Sequence, residues 1–259
     1  MKNINEATII LVCTDCEYTR ILYHGIKEDI PIFRIITERS VSKKVLIKRR
    51  IKRLGLWTTT NQLFFQVMVA SLLRKLSKKK VKKILLARKL NIAPMPVEKI
   101  IGLSSVNSEE FSRNIKSIRP DLILVNGTRI ISTQTLSTIS CPIINVHVGI
   151  TPLYRGVHGA YWALANDDPE HCGVTIHAID KGIDTGSILA QDIISPGKED
   201  NFITYPYLQF EKAIQLLKEI VPQIITNSFS FQKAPIGLSK LWYHPTIWQY
   251  LYNRFKGIK

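Results

Sequence analysis

Three polar residues in the second half of the chain have the types and spacing for acyl-transfer chemistry. Asn145 and His147 end the apolar run IINVH, and side chains at i and i+2 of a β-strand project to the same side. Asp184 lies in the turn GIDTG, which follows the strand-like GVTIH. A carboxamide, an imidazole and a carboxylate at strand ends and turns are the parts of an acyl-transfer site.

Each of these elements also has an interpretation that needs no chemistry. A histidine beside a strand end is more often a satisfied polar residue. An Asp-Thr-Gly turn forms because Asp bonds its own backbone and Gly accepts positive φ. His177 and Asp180 are nearby alternatives for the catalytic roles, and their places in a strand and a turn favour structural roles.

The order and spacing of the motifs together are far more specific than any one of them. Asn145-x-His147 is followed by the loop Pro152–Gly156 (PLYRG) and then by GVT and DKGIDTG in the range 173–186. This arrangement resembles the formyltransferase family that uses 10-formyltetrahydrofolate, over roughly residues 85 to 195. The resemblance implies an α/β, Rossmann-like core with a mostly parallel central sheet. It also implies 10-formyltetrahydrofolate as the formyl-donating cosubstrate, with no metal.

The resemblance also assigns roles to particular positions. The Asn145 amide would donate to the oxyanion, His147 would act as general base or acid, and Asp184 would position His147. The pterin would lie between the loop 126–132 and the loop 178–184. The cofactor-binding residues implied are Gly127, Arg129, Ile131, Ile179, Asp180 and Asp184. For Arg129 a surface salt bridge is an alternative.

Apolar runs elsewhere predict the strands that position these groups. Residues 7–13, 31–37, 120–126, 142–147 and 173–177 read as strands, with helical stretches between several of them. This rhythm predicts a parallel sheet with right-handed crossovers, and ligands bind beyond the carboxyl ends of such strands. The turn after the first strand, TDCEYT, has no glycine and two carboxylates, so a phosphate-binding loop is not expected there. We predict a catalytic domain at 1–195 and a C-terminal helical extension with an aromatic tail at 196–259.

The segment 39–90 is strongly basic. It contains 17 Lys and Arg and no Asp or Glu, while the whole chain has a net charge of +16. Its apolar residues interleave with the cations as in amphipathic helices, one near 43–54 and a second from Asn61 to Leu90. Three interpretations stay open, namely a solvated helical insertion, a contact with an anionic membrane surface, and nucleic-acid binding. The aromatic and cationic tail 241–256 favours the membrane, although packing between domains or in a homodimer is an equally common use of such residues.

Composition and cysteine usage predict a cytoplasmic protein, at most peripheral to the inner membrane face. The start of the chain carries no signal-peptide pattern, and the weakly polar stretch 63–73 is too short to span a bilayer. The four cysteines are few and scattered, and Cys13-x-x-Cys16 lacks the second pair of a zinc site.

The acceptor of the formyl group is the least determined part. The resemblance implies glycinamide ribonucleotide, initiator methionyl-tRNA or an amino sugar. The missing glycine-rich loop disfavours the first. The loop Gly149–Pro152 and the short C-terminal part disfavour the second. We therefore expect an amino-sugar N-formyltransferase of cell-surface glycan biosynthesis, acting on a nucleotide- or lipid-linked sugar. Alternatives are a methionyl-tRNA formyltransferase-like enzyme, a 10-formyltetrahydrofolate hydrolase, or an inactive homologue that binds membrane or nucleic acid.

Overall fold

A single seven-stranded sheet organises the chain. The computed structural model describes residues 3–229 and 238–259. Parts of two predictions, the N-terminus at residues 1–2 and the C-terminal extension at 230–237, lie outside these described residues. The strands of the sheet are β1 (Ile9–Cys13), β2 (Ile32–Glu38), β3 (Ile100–Leu103), β4 (Leu122–Asn126), β5 (Ile143–His147), β7 (Gly173–Ala178) and β8 (Ile188–Ile193), and β6 (Arg155–Gly156) and β9 (Leu241–Trp242) form a separate pair.

The order of the strands is β3-β2-β1-β4-β5-β7-β8. The pairs from β3 to β5 are parallel, whereas β5–β7 and β7–β8 are antiparallel. The continuous apolar runs of β1 and β4 are buried along their whole length, as expected for central parallel strands covered on both faces. The predicted α/β fold with a mostly parallel sheet is therefore confirmed.

Helices cover both faces of the sheet. They are α1 (Glu17–Ile26), α2 (Lys43–Leu54), α3 (Leu56–Phe64), α4 (Ala70–Ala87), α5 (Glu109–Ile118), α6 (Thr133–Leu136), α7 (Gly159–Ala165), α8 (Tyr205–Ile225) and α9 (Ile247–Phe255). Alternate residues of β1 enter two apolar cores, so that Ile9 and Leu11 pack with α1 and α8 while Ile10 and Val12 pack with α5. Because α8 shares a core with β1, the part of the chain after residue 195 packs directly on the sheet. The boundary at 195 itself stays a prediction.

The basic segment is helical, as its pattern predicts. Helix α2 matches the expected range, and the second helical stretch begins at Leu56 rather than at Asn61. Gly55, with φ of +82°, ends α2 and caps α3 in a conformation that a side chain disfavours. One turn of π-helix (Phe65–Val69) joins α3 to α4.

The C-terminal tail packs partly on the catalytic core. Strand β9 pairs with β6, and the Trp242 ring stacks on Trp162 at 4.6 Å between ring centroids. In α9, Tyr250 is buried against Phe65 and Tyr161. Within the described ranges, no helix is long and apolar enough to cross a membrane.

Candidate active site

A cleft of about 500 Å³ lies at the carboxyl ends of β4 and β5. It has the size of a small-molecule site, and its walls are largely apolar. The eight residues that the sequence analysis selects all line it: Gly127, Arg129, Ile131, Asn145, His147, Ile179, Asp180 and Asp184. The loop after β4 and the end of β5 meet because the carboxyl ends of parallel strands lie at one edge of the sheet, and the loop after the antiparallel strand β7 supplies Ile179, Asp180 and Asp184.

The loop after β4 forms one wall of the cleft. Gly127 has φ of +68°, a conformation that favours glycine, and its carbonyl accepts a hydrogen bond from the Thr14 hydroxyl at 2.8 Å. The Arg129 guanidinium lies 2.7 Å from the carboxylate of Glu38, which is 6% exposed. The backbone N–H of Arg129 donates to the same carboxylate at 2.5 Å. Arg129 therefore forms the salt bridge considered as its alternative while also lining the cleft, and Glu38 fixes the loop.

The opposite wall is the loop after β7. The carboxylate of Asp180 accepts hydrogen bonds from the Gly182 N–H at 2.9 Å and the Thr185 hydroxyl at 2.7 Å. Asp180 thus stabilises the turn that presents Asp184. Asp184 itself has φ of +50°, which is uncommon for a residue with a side chain and is found at strained functional positions.

The imidazole of His147 lies between the Tyr154 carbonyl and the Asp184 carboxylate. Its Nε2 lies 2.8 Å from the Tyr154 carbonyl, which can only accept, so Nε2 carries the proton. The Nδ1 atom then faces the Asp184 carboxylate at 3.4 Å. Gly149 permits this geometry, because a Cβ there would lie 2.4 Å from the Tyr154 carbonyl oxygen and 2.9 Å from His147 Nε2.

The charge states of this pair follow from their surroundings. Burial lowers the pKa of His147, and the nearby Asp184 carboxylate only partly opposes this. For Asp184, burial raises the pKa, but His177, His147 and the Gly156 N–H more than compensate and lower it to about 2. At neutral pH the imidazole is therefore uncharged, with a free lone pair on Nδ1 beside an ionised carboxylate.

The motif loop holds Asp184 in place. The Gly156 N–H donates to Asp184 Oδ2 at 3.0 Å, and the Arg155 guanidinium donates to the Ile183 carbonyl at 2.9 Å. These contacts give a physical reason for the Arg-Gly pair in the motif. The loop is also anchored near its start, where the Thr151 N–H donates to the Thr175 hydroxyl at 3.1 Å.

His177 is a site residue that sequence reasoning assigned to a structural role. It is 3% exposed, lines the cleft and lies opposite Asn145 in the antiparallel β5–β7 ladder. Its Nδ1 donates to the Ala178 carbonyl at 2.8 Å, which leaves the Nε2 lone pair to accept from the Asn145 amide at 3.1 Å. Thr175 and His177 are two residues apart in β7 and therefore point to the same face of the sheet, which the sequence alone indicates. The antiparallel pairing that gives it meaning was not apparent from the sequence.

The arrangement joins a proton acceptor to a hydrogen-bond donor within one cleft. His147 can take up a proton at Nδ1 next to a carboxylate that stabilises the imidazolium. Asn145 uses one amide hydrogen on His177 and keeps the second for a ligand. Such a pair suits attack on a carbonyl carbon with negative charge developing on its oxygen. Among the described residues, no group of three or more His, Cys, Asp or Glu could hold a metal ion.

Comparison with known proteins identifies the class. The sequence model of the formyl transferase family matches residues 2–205, and the chain belongs to this family. The chain is 36% identical over 159 residues to a methionyl-tRNA formyltransferase of Nitratiruptor sp., covering 61% of this chain and 47% of the relative. It is 30% identical over 119 residues to a GDP-perosamine N-formyltransferase of Brucella melitensis, covering 46% of each chain. The chain thus spans about half the length of these curated relatives.

The fold is shared with solved structures. A 4-N formyltransferase from Francisella tularensis superposes with a TM-score of 0.56 at 16% identity, covering 94% of this chain and 78% of that one. At this identity the likeness concerns the fold. It agrees with the formyltransferase-type α/β architecture that the sequence predicts.

Proposed function

We propose that the protein transfers a formyl group from 10-formyltetrahydrofolate to a primary amine. The observation that carries the proposal is the neutral imidazole of His147 between the Tyr154 carbonyl and the Asp184 carboxylate, with the Asn145 amide in the same cleft. Family membership supports the same reaction. The apolar side chains of Ile131 and Ile179 suit the flat faces of a pterin, and the cleft volume suits a ligand of folate size.

Each residue of the proposed machinery has a step in which it acts. His147 Nδ1 accepts a proton from the attacking amine as the new C–N bond to the formyl carbon forms. The Asn145 amide donates to the formyl oxygen while that oxygen carries negative charge, a contribution of roughly 3 kcal/mol in comparable sites. Asp184 stabilises the imidazolium formed. His147 then returns the proton to the departing folate nitrogen as its bond to the formyl carbon breaks. The products are a formamide and tetrahydrofolate.

For the acceptor we propose an amino sugar that is carried on a nucleotide. Similarity to the GDP-perosamine enzyme and the shared fold with a 4-N formyltransferase support this class. The proposed setting is cell-surface glycan biosynthesis in the cytoplasm. The homodimer considered from the sequence stays a prediction.

A second candidate acceptor is charged initiator tRNA. The observation that favours it is the similarity to methionyl-tRNA formyltransferases. The basic segment also begins directly after β2, whose last residue, Glu38, binds the cleft residue Arg129. A cationic surface therefore starts at the mouth of the cleft.

One assay separates these candidates. Purified protein is incubated with 10-formyltetrahydrofolate and a panel of nucleotide-linked amino sugars, while tetrahydrofolate release and acceptor mass are followed. The proposal expects one added formyl group on one sugar. Turnover only with charged tRNA would select the second candidate, and formate release without any amine would indicate a hydrolase. Absence of turnover with all acceptors and with water would indicate an inactive homologue.

A further inference from the structure

The continuous helical run from α3 through the π-turn to α4 exposes a stripe of apolar side chains. Trp57, Phe64, Met68, Leu72 and Leu76 are 55–76% exposed and recur at steps of seven and four residues. Such spacing places them on one side of a helical run. The opposite side of the run packs into the core. Its buried residues include Phe65, Ala70 and Ile84.

Helix α9 adds a second exposed stripe beside the first. Trp248, Leu251, Tyr252 and Phe255 follow the spacing of one helix face and are 46–92% exposed. Helix α9 packs against α3 and the π-turn, so the two stripes belong to neighbouring helices. Together they form a surface that we call the apolar face. Large exposed apolar patches mark interaction sites, and two such stripes on neighbouring helices indicate one here.

Cations surround the apolar face. The segment 39–90 carries 17 Lys and Arg without one Asp or Glu. Lys80 pairs with Glu199 and Asp200, and Arg88 pairs with Glu211. The remaining cations of the segment have no carboxylate within ion-pair distance in residues 3–229 and 238–259. Apart from Arg50, which donates to Gln66, and Arg53, whose guanidinium lies over the Tyr243 ring, their charge is therefore available to an external partner.

Helix α2 shows the same combination. It buries none of its residues, and Val45, Leu46 and Ile51 are exposed between its cations. Helix α2 contacts α3 but buries no side chain completely, so packing within the protein stabilises it only weakly. The exposed Val45, Leu46 and Ile51 are explained if α2 contacts another apolar medium.

We propose that the apolar face and the surrounding cations bind the surface of an anionic membrane. The interface of a bilayer accommodates Trp, Tyr and aliphatic side chains, while its anionic headgroups attract Lys and Arg. Nucleic acid would use the cations but leave the apolar stripes in water. A second copy of the chain would bring two strongly cationic segments together. The partner with both required properties is an anionic lipid surface, and this inference does not depend on the formyl-transfer proposal.

Vesicle flotation tests the inference directly. The full-length protein is mixed with vesicles of phosphatidylcholine alone or with phosphatidylglycerol added, at low and at high salt. Binding is expected with the anionic vesicles and is expected to weaken as salt rises. Tryptophan fluorescence should shift to the blue on binding, because Trp57 and Trp248 leave water.

Two variants separate the charge from the apolar contribution. Replacing Lys78, Lys79 and Lys82 by Gln should weaken binding on the order of 100-fold, given about 1 kcal/mol for each cation near an anionic surface. The matched control replaces Lys27, Arg113 and Lys116, which lie elsewhere on the surface, and should bind like the unchanged protein. The pair Trp57→Ser and Trp248→Ser should abolish the blue shift and vesicle binding while leaving the fold intact, because both side chains are exposed.

Three results would overturn the inference. The first is failure of the unchanged protein to bind anionic vesicles. The second is equal loss of binding in the control triple variant, which would indicate net charge rather than this surface. The third is salt-dependent binding to RNA without vesicle binding, or a dimer in light scattering that becomes a monomer in the Trp57→Ser, Trp248→Ser protein.

Discussion

Asn145 and His177 face each other across the antiparallel β5–β7 ladder, and the Asn145 amide lies 3.1 Å from His177 Nε2. The Ala178 carbonyl fixes the tautomer of His177, and His177 in turn fixes which way the Asn145 amide points. The orientation of the proposed oxyanion donor is therefore set by a residue that need not touch the substrate. His177 is a positioning residue in this arrangement.

Replacing His177 tests this positioning role. We expect His177→Ala to lower kcat about tenfold, because the Asn145 amide loses its orienting acceptor, while KM for the folate changes little. His177→Gln should recover part of the loss, since its amide oxygen can accept from Asn145. Steady-state release of tetrahydrofolate measures both constants. An unchanged kcat in His177→Ala would contradict the assignment.

Removing His147 or the charge of Asp184 should have larger effects. His147→Ala and Asp184→Asn are each expected to lower kcat by about 10²- to 10⁴-fold, because proton transfer loses its acceptor or the stabiliser of the imidazolium. Thermal unfolding measured beside the assay should show that both variants fold. Near-normal rates in either variant would exclude the proposed mechanism.

The pH dependence of the reaction should follow His147. Its pKa is lowered by burial, so the neutral base persists at pH 7 and is lost only as the pH falls below the ordinary value near 6.5. The Asp184 carboxylate acts in the opposite direction and raises the pKa of His147. In Asp184→Asn the pKa of His147 should therefore fall further. NMR titration of the imidazole measures this shift, and a move to higher pH would contradict the geometry.

The buried contact between His158 and His244 should make stability sensitive to acid. Their ring nitrogens lie 2.8 Å apart, and burial lowers the pKa of both, that of His244 to about 4. Arg50 and Arg74 act on the pair in the same direction. Between about pH 6.5 and 4, His244 binds a proton in the unfolded chain but not in the folded protein. Lowering the pH across this range would therefore reduce the free energy of unfolding by about 3 kcal/mol.

Urea unfolding of His244→Gln at several pH values checks this effect. The free energy of unfolding should depend less on pH in that window than it does in the unchanged protein. Equal pH dependence in His244→Gln and the unchanged protein would refute the prediction.

Gly149→Ala should destabilise the fold and disturb the site together. The added Cβ would lie 2.4 Å from the Tyr154 carbonyl oxygen, the acceptor that fixes the tautomer of His147. We expect a loss of about 2 kcal/mol of stability from the overpacking. Gly102→Ala is the matched control, because its Cβ would meet nothing closer than 3.9 Å. Chemical denaturation should give a lower free energy of unfolding for Gly149→Ala than for Gly102→Ala.

The sequence could predict the core strands because these depend on local patterns, and the order of the motifs, through its resemblance to a formyltransferase family, implied the residues of the cleft. The apolar runs of β1 and β4 and the spacing of Asn145 and His147 are visible in the sequence itself. The role of His177 was not, since it depends on the antiparallel direction of β7. The packing of Trp242 and Tyr250 was also not apparent. Aromatic residues at a membrane interface and aromatic residues buried in a core cannot be distinguished by residue type alone. Contacts between residues distant in sequence decide both cases.

The pairing of β6 with β9 also bears on the order in which the protein matures during synthesis. Gly156, whose N–H binds Asp184, lies in a strand that pairs with Leu241–Trp242, beyond the end of the family match at residue 205. On the ribosome the motif residues emerge well before the strand that anchors their loop. A nascent chain that ends before residue 241 would lack the strand that pairs with Gly156. The proposed active site is therefore completed late, when β9 has been synthesised and pairs with β6.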